Sequence, residues 1–517
     1  MGMIHSFSFG KHLFARALRS IIPPPPRRSS QMTHLKYEYV LTTHYTLHTT
    51  HRTLHTARRT VLIRMPNEKD IVSSRGRRAL KPPLPYLGSF FECLQNPCDI
   101  SSNPHGHIAL CVAENKLILK DLSSRLCKHS TAVAAFENQD NYCYNDMRGM
   151  MSARESVARF LTRKFLKPEQ GETPPEDDNS ACSAIQADNV ILGSGCAGLL
   201  NGLFFSLSEA NEAVLIPAPY YAAFESDMKV IAQCVPLKVH MTNPTTGPTP
   251  EELELAYNHA AEKNLKVSML LLTNPNNPLG TIYSAETIKK SIEWARGKHV
   301  HTIVDEIYGL SLHDSHDQSF QSVTKILNNN LGNDVSFLWA LSKDFGSSGF
   351  RIGVLYTQNK VLSDALSNLN IFSSVSHPMQ AVVASLLDDE EFIDDFLENS
   401  RTLLKASKRI VTNALDEMDI PYVKAHAGIF LYCDLSSLLP EKSFEGEAQL
   451  AKLMQEEARV VMTPGESQRD EKPGMFRICY AWVTPEVLQL AMERLKLVAS
   501  DIRSSGWENL CMKPYYQ

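Results

Sequence analysis

The stretch LWALSKDFGSSGFRIG, residues 338–353, decides how the chain is read. It sets Lys343 at the end of an apolar run and ahead of a glycine-rich loop, with Arg351 shortly after. An ammonium at the end of a buried strand pays several kcal/mol of desolvation unless it is used or paired. Most lysines at strand ends are simply solvated. The rest of the sequence must say what an amine and a guanidinium so close together would serve.

The chain has 517 residues, 43% hydrophobic and 21% charged, which is too long for one ordinary core and predicts two or more domains. No run of eighteen uncharged apolar residues occurs, so no membrane span is expected. The net charge of −5 points to neither nucleic acid nor an anionic surface as a partner. It conceals an asymmetry, because residues 1–64 hold ten Lys/Arg against the single acid Glu38. Eleven scattered cysteines with no CxxC suggest reduced thiols in a reducing compartment and no structural zinc. A cytoplasmic location is expected, with a mitochondrial-type address in the basic, acid-poor N-terminus as the alternative.

Residues 1–64 read as a basic extension, disordered or non-native, with a real start near Met65; the Thr/His-rich stretch 46–64 lacks burial patterning. The seven histidines of residues 1–64 lack the acidic and cysteine companions that would make a metal tract. Residues 65–135 are assigned to an N-terminal arm and part of a smaller domain. From 136 to 370 the runs NVILG, AVLIPAP, SMLLLTNP, TIVDEIY, FLWALSK and RIGVLY alternate with helical patterns, and EQGETPPEDDNS (169–180) reads as a polar linker. This predicts an α/β domain with a mostly parallel sheet covered on both faces. Over residues 371–517 long helical stretches flank GIFLYCDL and MFRICYAWV, which predicts a smaller α+β domain.

Three constellations carry chemistry. ILGSGCAGLLNGLFF (191–205) has glycines at 193, 195 and 198 ahead of a helical run, a pattern that lets backbone N–H groups face a phosphate. A dinucleotide reading is disfavoured, because Glu209 and Glu212 precede the next strand and do not end one. In TIVDEIYGL, Asp305 and Tyr308 sit at the end of an apolar strand. A carboxylate there offsets its desolvation only by meeting a cation, such as a protonated pyridine nitrogen. In LLTNPNNPLGTIY the Asn-Pro pairs direct side-chain amides into whatever the loop faces, and Asn277 could donate to a phenolate oxygen.

In chain order, the glycine loop, PYYAAF, NPNNPLG, DEIY, SKD and FRIC resemble the fold-type I pyridoxal-phosphate enzymes of the aminotransferase class I/II family, over roughly residues 80–500. GHIALCVAENKL (106–117), PAPYYAAFESDM and LSKDFGSSGFRIG look most like the 1-aminocyclopropane-1-carboxylate synthase branch and its fungal relatives. Those relatives include aminotransferases and carbon–sulfur lyases of secondary-metabolite and toxin biosynthesis. The resemblance implies a large domain built on a seven-stranded-type sheet, a smaller α+β domain, pyridoxal 5′-phosphate as cofactor, an amino-acid-type substrate and a homodimer.

It also implies roles residue by residue. Lys343 would form the Schiff base and, with Asp305 and Tyr308, make up the catalytic set. Arg351 and the backbone of Cys196 and Ala197 would hold the phosphate. Tyr221 would stack on the ring, Asn277 and Tyr308 would hold its oxygen, and Asp305 would keep the pyridine nitrogen protonated. Arg477 would grip the substrate α-carboxylate, and Glu114 matches the substrate-side glutamate of the synthase branch.

Several positions depart from the family. Ala340 and the Cys196-Ala197 pair lack phosphate-touching hydroxyls, Met147 replaces a tyrosine that reaches the neighbouring subunit in the plant synthases, and PGES (464–467) replaces PGSSF. Tyr144 or Arg148 would then serve across the dimer. The expected activity is an aminotransferase or carbon–sulfur lyase, with 1-aminocyclopropane-1-carboxylate synthase as the alternative. A non-catalytic regulator is disfavoured, because residues 1–64 show no helix-turn-helix pattern and Lys343, Asp305, Arg351 and Arg477 are all kept.

Overall fold

A computed structural model describes residues 39–44, 58–63, 72–80, 82–166, 184–313, 320–509 and 514–516. The chain divides into two units, Met1–Ser73 and Ser74–Gln517. In the first, Tyr39–His44 and Arg58–Ile63 pair antiparallel, with Tyr39 opposite Ile63. Most of the basic extension expected over residues 1–64 lies outside the described residues. The suggested start near Met65 and the polar stretch 169–180 lie outside the described residues.

The second unit carries seven strands in one sheet: β1 Val190–Ser194, β2 Ala213–Pro217, β3 Val235–Val239, β4 Val267–Thr273, β5 His301–Asp305, β6 Val335–Ala340 and β7 Ile352–Thr357. Their order is β1-β7-β6-β5-β4-β2-β3. Strands β2 to β6 pair parallel, while β7 lies antiparallel between β1 and β6. Both faces are covered, so the runs are apolar throughout. On β6, for example, Phe337 and Trp339 enter one core and Leu338 the other.

This topology positions the site. Parallel strands end at a common edge, and ligands of open α/β sheets bind outside those ends. Asp305 closes β5, Ala340 closes β6 three residues ahead of Lys343, and β1 ends in the glycine loop. Because β7 runs the other way, its first residue reaches the same edge: Ile352 lies opposite Ser194, and Arg351 immediately precedes it.

A second antiparallel sheet holds β8 Phe430–Asp434, β9 Thr463–Pro464 and β10 Met475–Cys479 in the order β8-β10-β9. Ile108–Ala109 pairs with Val460–Val461, which ties the N-terminal arm to this part. The 28-residue helix Glu390–Glu417 buries Ile393, Phe396 and Leu397 in the core of the large sheet but Leu404, Val411 and Leu415 in the second core. The passage between the two cores thus falls inside this helix, later than the boundary at residue 370 drawn from the change of pattern. Among the described residues no helix is long and apolar enough to cross a membrane.

Candidate active site

Helix α1, Gly195–Leu207, starts where β1 ends, and no side chain caps its N-terminus. The first amides of a helix have no intrahelical partner and sit at the positive end of its dipole. Gly195 has φ +70°, and a Cβ there would lie 2.6 Å from Arg351 Nη2. Gly353, next door on β7, would place a Cβ 2.5 Å from the carbonyl carbon of Gly195 and 2.8 Å from the nitrogen of Cys196. Both positions need glycine because guanidinium, loop and strand touch.

Arg351 has φ +56°, a left-handed backbone uncommon for a side-chain-bearing residue. Its Nη1 donates to the Ser348 carbonyl (2.9 Å) and its Nη2 to that of Ser194 (3.3 Å). Among the described residues it has no ion pair. A bare guanidinium over an uncapped helix start is a cradle for a phosphate. Gly353→Ala should displace backbone atoms and lower cofactor affinity at least tenfold while leaving the far-ultraviolet circular dichroism unchanged; equilibrium dialysis of the cofactor measures it.

Lys343 stands on the short helix Leu341–Asp344 that follows β6. Its Nζ donates to the Ala113 carbonyl at 2.7 Å. Burial lowers its pKa below that of an ordinary lysine; Glu114 opposes the shift and Arg477 adds to it. The helix is pinned by Asp344, whose carboxylate accepts from Trp339 Nε1 (2.8 Å) and Ser311 Oγ (2.6 Å). Gly346, at φ +61°, lies under the Asn115 carbonyl, where a Cβ would come within 2.3 Å. That contact holds the Glu114 segment against the lysine loop.

Asp305 is buried and accepts one backbone bond, from the Ile307 amide at 3.2 Å. Burial pushes its carboxyl up to about 7, with Lys343 opposing and Asp227 adding. It is a carboxylate without a cation in an ion pair, as a partner for a pyridinium should be. Asp305→Asn follows from the sign. A carboxyl raised from 3.8 to about 7 binds more protons folded than unfolded, so stability falls as pH rises between those values. The cofactor-free Asn variant should therefore melt higher than wild type at pH 8, by an amount on the order of a few kcal/mol, with the gap closing toward pH 4. Thermal melts of both proteins at the two pH values check it.

Arg477, on β10, is fully buried, and no carboxylate among the described residues pairs with it. Its Nη1 donates to Asn277 Oδ1 (2.8 Å), its Nη2 donates to the Cys111 carbonyl (2.8 Å), and its Nε has no partner. Its Cζ lies 5.2 Å from the Phe430 ring, against which Tyr308 packs edge-on, also at 5.2 Å. Burial holds the Tyr308 phenol well above its usual range. Half-buried Tyr221 packs edge-on against Phe224.

The structure brings together Lys343, Asp305, Tyr308, Tyr221, Cys196, Ala197, Asn277, Arg351, Arg477 and Glu114. It does not bring Tyr144, which is 93% exposed, or Arg148, which pairs with Asp146 at 2.8 Å. Ala340 is buried in extended backbone and offers no hydroxyl. Two residues were missed. Tyr86 is buried near Arg477, whose guanidinium offsets part of the rise that burial gives its phenol, but it lies in a proline-rich stretch that reads as loop. Asp227 is raised to about 7 by burial and acts on Asp305, and its place in ESDM was visible without showing a partner.

An uncapped helix start under a bare arginine, a buried amine, and a buried carboxyl lacking a cation fit the phosphate, aldehyde and ring nitrogen of pyridoxal 5′-phosphate. The fold and these groups define a pyridoxal-phosphate-dependent enzyme. Residues 108–495 match the model of the family Aminotransferase class I and II, and the chain belongs to that family. It is 32% identical over 435 residues to 1-aminocyclopropane-1-carboxylate synthase 4 of Arabidopsis thaliana, covering 81% of this chain and 88% of that protein. It is 31% identical over 420 residues to 1-aminocyclopropane-1-carboxylate synthase 2 of Cucurbita pepo, with 79% and 81% covered. Among solved structures, the aspartate aminotransferase of Thermus thermophilus with maleate superposes with a TM-score of 0.64 at 19% identity, covering 83% of this chain and 99% of that one.

Proposed function

We propose that the protein acts at the α-carbon of an amino acid or amino-acid conjugate, as an aminotransferase or carbon–sulfur lyase of fungal secondary metabolism. The observation that carries this reading is Arg477: a buried guanidinium with no carboxylate of its own, close enough to Lys343 to lower its pKa. A substrate α-carboxylate would complete it bidentately and displace none of its backbone anchors.

Arg351 and the amides of Cys196 and Ala197 would hold the phosphate, and Tyr221 would cover one ring face. Asp305 would keep the proton on the ring nitrogen, while Asn277 and Tyr308 would donate to the ring oxygen. When bound, pyridoxal phosphate supplies the sink for electrons left at the α-carbon. Lys343 Nζ would take the α-proton, and its burial favours the unprotonated amine that this role needs.

The next step separates the activities. Return of a proton to the cofactor side gives transamination; departure of a β- or γ-sulfur substituent gives elimination or ring closure. Ring closure, the reaction named for the plant relatives, is the second reading, and Glu114 beside Lys343 favours it. Met147, Ala340 and PGES favour the first. Purified protein is incubated with panels of amino acids, cysteine conjugates and amino acids bearing a γ-sulfur leaving group, and keto acid, ammonia, thiol and 1-aminocyclopropane-1-carboxylate are measured. Keto acid or thiol supports the first reading and the cyclopropane product the second; no product from any substrate contradicts both.

The same reading includes a homodimer. Tyr144 is almost fully exposed, and Phe372 is 87% exposed, as residues awaiting a second copy would be. Because Arg148 is engaged by Asp146, Tyr144 is the stronger candidate to reach across. Mixing inactive Lys343→Ala protomers with a Tyr144→Phe/Arg148→Ala variant should restore part of the activity through hybrids with one intact site. A fully active double variant, or an active monomer in sedimentation, excludes the shared site.

A further inference from the structure

Away from these residues, a cavity of about 430 Å³ opens between the helix α2, Glu390–Glu417, the segment 422–426 leading to β8, and His313. Its wall holds Lys405, Lys408, Lys424, His313 and His426, with the hydroxyl-bearing Thr412 and Tyr422. Lys405, Lys408 and Thr412 share one face of α2 by helical spacing. A second cavity of about 260 Å³ shares Lys424 and His426 and adds Thr245 and Thr281. Among the described residues the two linings contain no carboxylate. Asp416, close by, is engaged by the Tyr422 hydroxyl.

The inner wall is the informative part. Lys408 is half-buried; its Nζ lies 3.1 Å from His313 Nδ1 and also donates to the Ala425 carbonyl. No carboxylate among the described residues pairs with it. Burial, and then the Lys405 ammonium, lower its pKa. His313 is buried, held at about 4 by burial, and so is neutral near pH 7. Its Nδ1 lies 3.1 Å from both Lys408 Nζ and the Ala425 carbonyl, and its Nε2 lies 2.9 Å from the Gly428 carbonyl and 2.7 Å from the Tyr480 hydroxyl, which donates to that same carbonyl at 2.9 Å. Among the described residues, this inward-drawn Lys408 ammonium, set on an imidazole and a carbonyl, meets no carboxylate that would supply the counter-charge a half-buried cation requires.

We propose that this cavity is a second ligand site, separate from the cofactor cradle, which takes a small oxyanion-bearing metabolite, phosphorylated or polycarboxylate, between Lys408 and Lys424. Lys408 supplies the desolvated contact, Lys424 the contact at the rim, and Thr412 a hydroxyl donor. The volume suits an anion of a few to a dozen heavy atoms. The site owes nothing to the reading of the reaction and stands or falls separately from it.

The test uses the full chain loaded with pyridoxal phosphate, so that the Arg351 cradle is already filled. Inorganic phosphate and citrate are titrated by calorimetry at fixed ionic strength, with chloride as the control. The expected result is saturable binding of at least one of them, weakened at least tenfold by Lys424→Glu, an exposed position, with the visible cofactor band intact. Lys408→Met, scored if it keeps that band, must weaken binding as well. Tighter phosphate assigns a phosphorylated ligand, and tighter citrate a polycarboxylate. No saturable binding beyond chloride, or either variant binding as wild type does, overturns the site.

Discussion

Lys343→Ala is expected to reduce turnover by at least about 10⁴-fold, the upper range for loss of a positioned acid–base group, and to abolish the visible absorbance of lysine-bound cofactor. Two functions go with one side chain: the covalent hold on the cofactor and the base for the α-proton. No neighbour can take over. Lys116, the other lysine of the region, is occupied over the Trp482 ring at 3.2 Å. Asp344, next along the chain, is turned away and locked to Trp339 and Ser311. The fold should survive, because among the described residues the Lys343 side chain makes one hydrogen bond, to the Ala113 carbonyl. The phosphate cradle is untouched, so the variant should still take up cofactor reversibly. Single-turnover assays and absorbance spectra of the variant check both halves.

Arg477→Ala should act on the substrate side. The guanidinium is fully buried, and removing it takes away a charge-assisted pair with the α-carboxylate, which costs about 2–5 kcal/mol in a buried setting. The amino-acid KM should therefore rise by roughly 10²-fold or more, with the visible cofactor band retained. Asn277 complicates the outcome in an informative way, because its Oδ1 now accepts from Arg477. Once released, Asn277 can turn, so a modest change in the cofactor spectrum should accompany the loss of substrate affinity. Loss of cofactor with unchanged KM would contradict the role given to Arg477. Arg477→Lys should recover little, since an ammonium cannot reproduce the two-pronged geometry.

Much of the site was legible because a parallel sheet gathers strand ends. Lys343, Asp305 and the glycine loop each follow an apolar run, and ordinary α/β topology collects such ends at one edge. Arg351 was legible as a residue but not as a geometry. RIGVLY reads like any other strand of the set, and nothing in its pattern announces that β7 runs antiparallel and so presents its start, with Arg351, to the edge where the others finish. The pairing of Arg477 with Asn277 spans 200 residues and leaves no periodic trace.

The passage between the two cores was misplaced for a related reason. A helix repeats the same spacing whichever core it faces, so the change from Phe396 to Leu404 within one helix is invisible in the pattern. The basic cavity escaped notice altogether, since its cations come from three segments far apart in the sequence.

The central claim is that Lys343 bears the cofactor. Its most direct test is to reduce the purified, cofactor-loaded protein with borohydride, digest it, and locate the phosphopyridoxyl group by mass spectrometry. A stoichiometric adduct on the peptide containing Lys343, absent from Lys343→Ala, is the predicted result. An adduct on another lysine, or none in protein that shows the visible cofactor band, would contradict the account.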